Sequence, residues 1–226
     1  MKEESRVQEL LNELLPDDPE ERAKTLDELD KLLMRYESAI REIRTKVEIL
    51  NDELSLTGDQ NPIASISSRR KKLSGILEKL KRQGFPMTLE SIEENLTDVA
   101  GIRIICSFMD DIYKVARMLQ QQDDITVITV KDYIAKPKPN GYRSYHMIVE
   151  VPVFFSNEKR PMKVEVQIRT IAMDFWANLE HRMRYKKDIE AADEIMDELK
   201  ECAENIAATD TKMMIIREKI RSGSLD

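Results

Sequence analysis

An α/β domain with long helices before and after it is the fold class that this sequence predicts. Three observations carry that reading. Apolar residues recur at helical spacing over residues 26–54, apolar and polar residues alternate in short segments between 99 and 169, and helical spacing returns after residue 188. A length of 226 residues allows one core of ordinary size with appended helices.

The elements follow in order. Asp18-Pro19-Glu20-Glu21 offers a capping carboxylate, a proline at the first helical position and acid in the first turn. Leu26, Leu29, Leu33, Tyr36, Ile40, Ile43, Val47, Leu50 and Leu54 then form one apolar face, which Gly58-Asp59-Gln60-Asn61-Pro62 ends. A basic helix is expected over 65–82, and a short one after Thr88. Four strands are expected at 99–108, 125–131, 145–153 and 163–169. A helix over 111–121 separates the first two. Another starts near Ile171 and sends Phe175 and Trp176 into the core. Lys136-Pro137-Lys138-Pro139-Asn140-Gly141 is a loop, because two prolines remove donors that regular structure needs. Ile195, Leu199, Cys202, Ile206, Met213, Ile216 and Ile220 stripe the last helix. The expected division is 1–62, 63–187 and 188–226. Both flanking helices should pack on the core or on a partner chain.

Composition excludes several functions. Thirty-six Lys and Arg face 43 Asp and Glu, a net charge of -7, so a uniformly basic nucleic-acid binder is not expected. Cys106 and Cys202 are the only cysteines, and His146 and His181 the only histidines, which leaves no disulfide framework, zinc finger or imidazole-rich metal centre. The six glycines never fall at GxGxxG or GxxxxGK[ST] spacing. No apolar run approaches bilayer length and Met1-Lys2-Glu3-Glu4 starts no secretory signal, so a cytoplasmic protein without a membrane partner is expected.

Three local features point to chemistry. Residues 64–86 carry seven cations against Glu78, and residues 131–143 carry Lys131, Lys136, Lys138 and Arg143 against Asp132. Either segment alone reads as a solvated face; two beside one sheet in an acidic chain suggest a focused anion site. Glu165 lies in Val164-Glu165-Val166-Gln167-Ile168-Arg169, where alternation puts it opposite the apolar side chains, and Asp98 opens another strand. A solvent-facing sheet surface explains Glu165 as well. Two carboxylates near cations would instead hold Mg²⁺ on a polyphosphate, provided that the fold brings them together. Finally, Asn140-Gly141-Tyr142-Arg143-Ser144-Tyr145-His146 joins a turn to a strand, placing an aromatic face beside a cation and an imidazole.

From about Ile63 to Tyr185 the chain resembles the synthetase domain of the RelA/SpoT homologue family, in its short RelP/RelQ form. The matching stretches are Arg69-Arg70-Lys71 with Ile76-Leu77-Glu78-Lys79, Asp98-Val99-Ala100-Gly101-Ile102-Arg103-Ile104 and Asp132-Tyr133-Ile134. Gly141-Tyr142-Arg143-Ser144-Tyr145-His146, Val164-Glu165-Val166-Gln167-Ile168-Arg169-Thr170 and Met173-Asp174-Phe175-Trp176-Ala177 complete the set. Six stretches in the family's order cover over half the chain.

The resemblance implies a mixed β-sheet of the nucleotidyltransferase-like kind and transfer of pyrophosphate from ATP to the ribose 3′-hydroxyl of GTP or GDP. The products would be AMP and the alarmone (p)ppGpp of the stringent response. It implies Mg²⁺ on Asp98, with Glu165 as general base and second metal partner. Arg69 and Arg103 would sandwich adenine, which a planar guanidinium does and an ammonium does not. Lys71 and Lys79 would meet the ATP phosphates. Tyr142 would stack on guanine, with Lys138, Arg143, His146 and, more weakly, Lys136 near the acceptor phosphates. Asp174 suits the guanine edge, since a carboxylate accepts from N1–H and N2–H together. Gly75 departs from the family, where a serine is expected one turn before Lys79. A homotetramer joined outside the catalytic core is also implied, and an RNA partner stays open. The rival readings are a pyrophosphokinase acting on the tRNA 3′ end and a catalytically silent nucleotide- or RNA-binding regulator.

Overall fold

The computed structural model describes residues 2–57, 61–184 and 192–223. Helix α1 (Lys2–Leu14) leads into α2 (Pro19–Thr57), whose first turn is capped by Asp18 Oδ1 accepting from the amides of Glu20 and Glu21 at 3.0 Å each. Strand β1 (Ile63–Arg70), α3 (Leu73–Gln83), α4 (Leu89–Asn95), β2 (Ala100–Cys106), α5 (Met109–Gln120) and β3 (Thr126–Asp132) follow. The chain continues through β4 (Tyr145–Phe154), β5 (Lys159–Thr170), α6 (Ile171–Arg184) and α7 (Ala192–Ser222).

The five strands make a mixed sheet in the order β1-β2-β5-β4-β3, in which only β2 and β5 run parallel. Strand alternation divides the sheet into two chemically different faces. Ile102, Ile104, Val164, Val166, Ile168, Met147 and Val149 point one way and are buried, and α2 and α5 cover them. Leu29, Tyr36, Ile40, Ile43 and Val47 of α2 belong to that same core. Arg103, Glu165, Gln167 and His146 point the other way. Gly101 pairs with both Arg69 and Glu165, and His146 pairs with Gln167, so register alone gathers the polar set.

Four expectations are corrected. The basic segment 65–82 is not one helix, since its first half is β1, paired antiparallel with β2, and only Leu73–Gln83 is helical. Phe175 does not enter the core: it is 59% exposed, while Trp176 is buried and donates to the Leu199 carbonyl at 2.9 Å. Leu26 faces solvent, where Leu32 and Ala39 join the buried face of α2 instead. On α7, Leu199 is buried with Ile195 and Ile206 beside it as expected, but Cys202, Met213, Ile216 and Ile220 are exposed in the single chain, and Ala203, Asp210 and Arg217 take the other inward positions. The turn at Gly58–Gln60 and the boundary near residue 187 lie outside the described residues.

Candidate active site

Asp98 lies in the loop just before β2, and Glu165 lies on β5 beside Gly101, so the parallel pairing of these two strands brings both carboxylates to one end of the polar face. They line two adjoining clefts. The larger, about 560 Å³, has Arg69, Arg103, Tyr142 and Arg169 in its wall. The smaller, about 210 Å³, is walled by Lys79, Lys131, Lys138 and His146. Asp98 and Glu165 are common to both.

The two acids have different surroundings. Asp98 Oδ2 accepts from Lys71 Nζ at 2.7 Å, and Lys79 Nζ lies 2.7 Å from Oδ1. Each carboxylate oxygen of Asp98 thus faces one ammonium group. Burial alone would raise the Asp98 carboxyl's pKa; the two ammonium groups outweigh it and hold it below the usual carboxylate range. Glu165 is the more buried. Burial pushes it up and Asp98 adds to that, but His146 at 3.3 Å and Gln167 at 2.9 Å prevail, and its pKa is also lowered. Both acids are therefore carboxylates at neutral pH.

Tyr142 sits where three groups converge. Its hydroxyl accepts from Arg169 Nη2 and lies 2.9 Å from His146 Nε2, while Lys138 Nζ is 4.7 Å from its ring centroid. Lys138 is equally close to the ring of Tyr133. Asp174 is engaged by Arg103 at 3.3 Å, Arg169 at 3.1 Å and Asn178 at 2.8 Å. This carboxylate lies between two guanidiniums that would otherwise repel, for burial and the neighbouring Arg169 both weaken the protonated form of Arg103. Gly75 leaves room for a serine, since an added Cβ would meet only the Lys71 side chain at 3.5 Å.

The fold thus gathers Arg69, Lys71, Lys79, Asp98, Arg103, Lys138, Tyr142, His146, Glu165 and Asp174. It does not bring Arg143 or Lys136 to them. Arg143 reaches into a separate cleft between the 137–143 loop and α7, donating to the Ile134 carbonyl at 3.3 Å. Lys136 is exposed outside both clefts. Sequence reasoning missed Arg169, whose side chain is 5% exposed and lines the larger cleft, together with Gln167 and Tyr133. The alternation that singled out Glu165 put Gln167 and Arg169 on the same face, and that was the available signal.

The family model described as "Region found in RelA / SpoT proteins" matches residues 68–190, more than half of the chain. The chain belongs to the RelA/SpoT family. It is 45% identical over 188 residues to the GTP pyrophosphokinase YwaC of Bacillus subtilis, covering 83% of this chain and 90% of that one. It is 36% identical over 192 residues to YjbM, a GTP pyrophosphokinase of the same organism, covering 85% and 90%. Among solved structures, the small alarmone synthetase 1 of Bacillus subtilis bound to its product pppGpp superposes with a TM-score of 0.79 at 36% identity, covering 85% of this chain and 98% of the other. This family member is accordingly a nucleotide-handling enzyme of the (p)ppGpp-synthesising branch.

Proposed function

We infer that this RelA/SpoT enzyme transfers pyrophosphate from ATP to the ribose 3′-hydroxyl of GTP or GDP, releasing AMP and making (p)ppGpp. The single observation that carries the reading is the shared wall. Asp98 and Glu165 line both the arginine-bearing cleft and the lysine-bearing one, so the two carboxylates stand among the candidate nucleotide-binding cations that the fold gathers, where a donor triphosphate and an acceptor sugar would have to meet. The names of its relatives support the same reaction.

Arg69 and Arg103 offer planar cations to adenine, while Lys71 and Lys79 stand against Asp98, where phosphates would arrive. The Tyr142 ring offers a face to guanine, with Lys138 beside it for acceptor phosphates. Glu165, an ionised carboxylate, takes the proton from the 3′-hydroxyl as that oxygen attacks the β-phosphorus. Asp98 and Glu165 fit Mg²⁺: both are hard oxygen donors, both are ionised, and they line the same two clefts. When bound, the ion supplies positive charge to the phosphate oxygens.

Ile171, Phe175, Leu179 and Met183 on α6 and Met213, Ile216 and Ile220 on α7 are exposed apolar side chains. They would be covered in a homo-oligomer, for which a tetramer is proposed. Among the described residues no helix is long and apolar enough to cross a membrane, and the proposed location is the cytoplasm.

The deciding experiment follows labelled ATP with GDP, GTP, tRNA or no acceptor. AMP should appear only with GDP or GTP, and Glu165→Gln should abolish it while both nucleotides still bind. Unimpaired turnover in that variant overturns the assignment of the base, and label on tRNA overturns the acceptor.

A further inference from the structure

Both oxygens of Glu165 lead back to one guanidinium. Along the first arm, Arg169 Nη2 donates to Tyr142 Oη, Tyr142 Oη lies 2.9 Å from His146 Nε2, and His146 Nδ1 lies 3.3 Å from Glu165 Oε1. Along the second, Arg169 Nη2 donates to Gln167 Oε1 at 3.2 Å, and Gln167 Nε2 donates to Glu165 Oε2 at 2.9 Å. A carboxylate only accepts, so the proton facing Glu165 is on His146 Nδ1. In the neutral imidazole the Tyr142 hydroxyl, which accepts from Arg169, donates to Nε2, and every donor in the chain has an acceptor. Both imidazole nitrogens are committed to protein, which leaves neither for a phosphate in this arrangement.

The chain is also shielded. The side chains of Arg169, His146 and Glu165 are 5%, 12% and 18% exposed, so their hydrogen bonds work in a medium of low effective dielectric. Asp174 and the Ser144 hydroxyl hold the guanidinium in turn, at 3.1 and 3.3 Å. That much organisation exceeds what stacking on a base requires of Tyr142.

We propose that Arg169 is a positioning residue for the reaction: through the Tyr142 hydroxyl and His146 on one side and Gln167 on the other, it aims both oxygens of the Glu165 carboxylate at the acceptor hydroxyl. The proposal rests on Glu165 being the base. It gives Tyr142 a second role, in which the ring face meets the base and the hydroxyl orients the catalytic carboxylate.

Two substitutions cut one arm each while keeping side-chain volume, Tyr142→Phe and Gln167→Met. Each should lower kcat about tenfold with the KM for GDP changed less than about twofold, because an ångström of misplacement weakens attack without weakening binding. Wild-type kcat in either variant overturns the proposal, as does a raised KM for GDP with kcat intact, which would make the side chain a binding group. A second readout needs no turnover. With only two histidines in the chain, ¹⁵N NMR of labelled protein resolves the tautomer of His146. The Nδ1–H form is expected, and the Nε2–H form overturns the proposal. Failure of the wild-type enzyme to release AMP with GDP would refute the proposed function instead, leaving the tautomer to judge the network.

Discussion

Gly141 offers the sharpest test of how the acceptor loop is held. It adopts φ +85°, and a Cβ built there would lie 2.5 Å from the Cβ of Ala203 on α7. Gly141→Ala therefore incurs two penalties. Left-handed backbone costs a non-glycine residue about 1–2 kcal/mol, and overpacking against the helix costs about 1–3 kcal/mol more. Ala203→Gly alone should destabilise by about 1 kcal/mol, the usual difference between alanine and glycine inside a helix. In the double variant the clash disappears and the backbone term stays, so the two changes should couple favourably by about 1–3 kcal/mol. Urea denaturation of the four proteins measures that coupling, and the KM for GDP should rise in Gly141→Ala and recover in part in the double variant. Free energies that add within about 0.5 kcal/mol would refute the close approach of loop and helix.

Two further outcomes follow from the site and its surface. Because the folded pKa of Asp98 lies below its ordinary value, the carboxylate contributes stability that is full above the ordinary carboxylate range and disappears as pH falls through the lowered value. Asp98→Asn should thus be less stable than the native protein by about 1–2 kcal/mol at neutral pH, and melting curves should show the gap closing in acid; a gap that persists unchanged would mean the lysines do not stabilise the ionised form. Phe175→Asp puts a charge in the exposed apolar stripe of α6, and light scattering should report a smaller assembly with an unchanged helical spectrum. An unaltered mass would remove α6 from the interface.

How much could be read in the sequence depended on where each pattern was enforced. Strands β2, β4 and β5 were legible because their inner faces are fully buried, so alternation had to be written into Ile102-Arg103-Ile104 and Val164-Glu165-Val166. β1 was not legible. As an edge strand it buries fully only Ile63, and its run of serines and arginines matches a charged helix as well as a strand until β2 pairs with it. The expected strand over 145–153 ran through Pro152 nearly to the end of β4, whereas the first four residues of β5, with Pro161 among them, were not read as strand. The two prolines are tolerated opposite each other at the end of the hairpin, past the point where β3 stops pairing. Asp98 and Glu165 were individually visible, but their meeting depended on a parallel pairing that no local pattern encodes. The position of Arg143 was equally out of reach, since two residues separate it from the turn and only α7 determines which side of the loop it takes.

The donor and acceptor sides are held by different parts of the fold. Arg69, Arg103 and Lys79 stand on β1, β2 and α3, which sit directly on the main core, so the donor side is rigid for the same reason that the sheet is stable. The acceptor side is otherwise. Tyr142 and Lys138 lie on a loop with prolines at 137 and 139, and the loop rests on the last two helices through Asn140 bonding Glu180 at 3.2 Å and Gly141 abutting Ala203. Arg143 attracts the buried carboxylate of Asp210, which Thr170 also holds at 2.5 Å. Those helices turn apolar side chains outward, so what covers them in an assembly also bears on the elements that hold the acceptor loop. Changes on the inward face of α7 should accordingly appear in the KM for the guanosine nucleotide and leave that for ATP nearly untouched, a split that a rigid, undivided site could not produce.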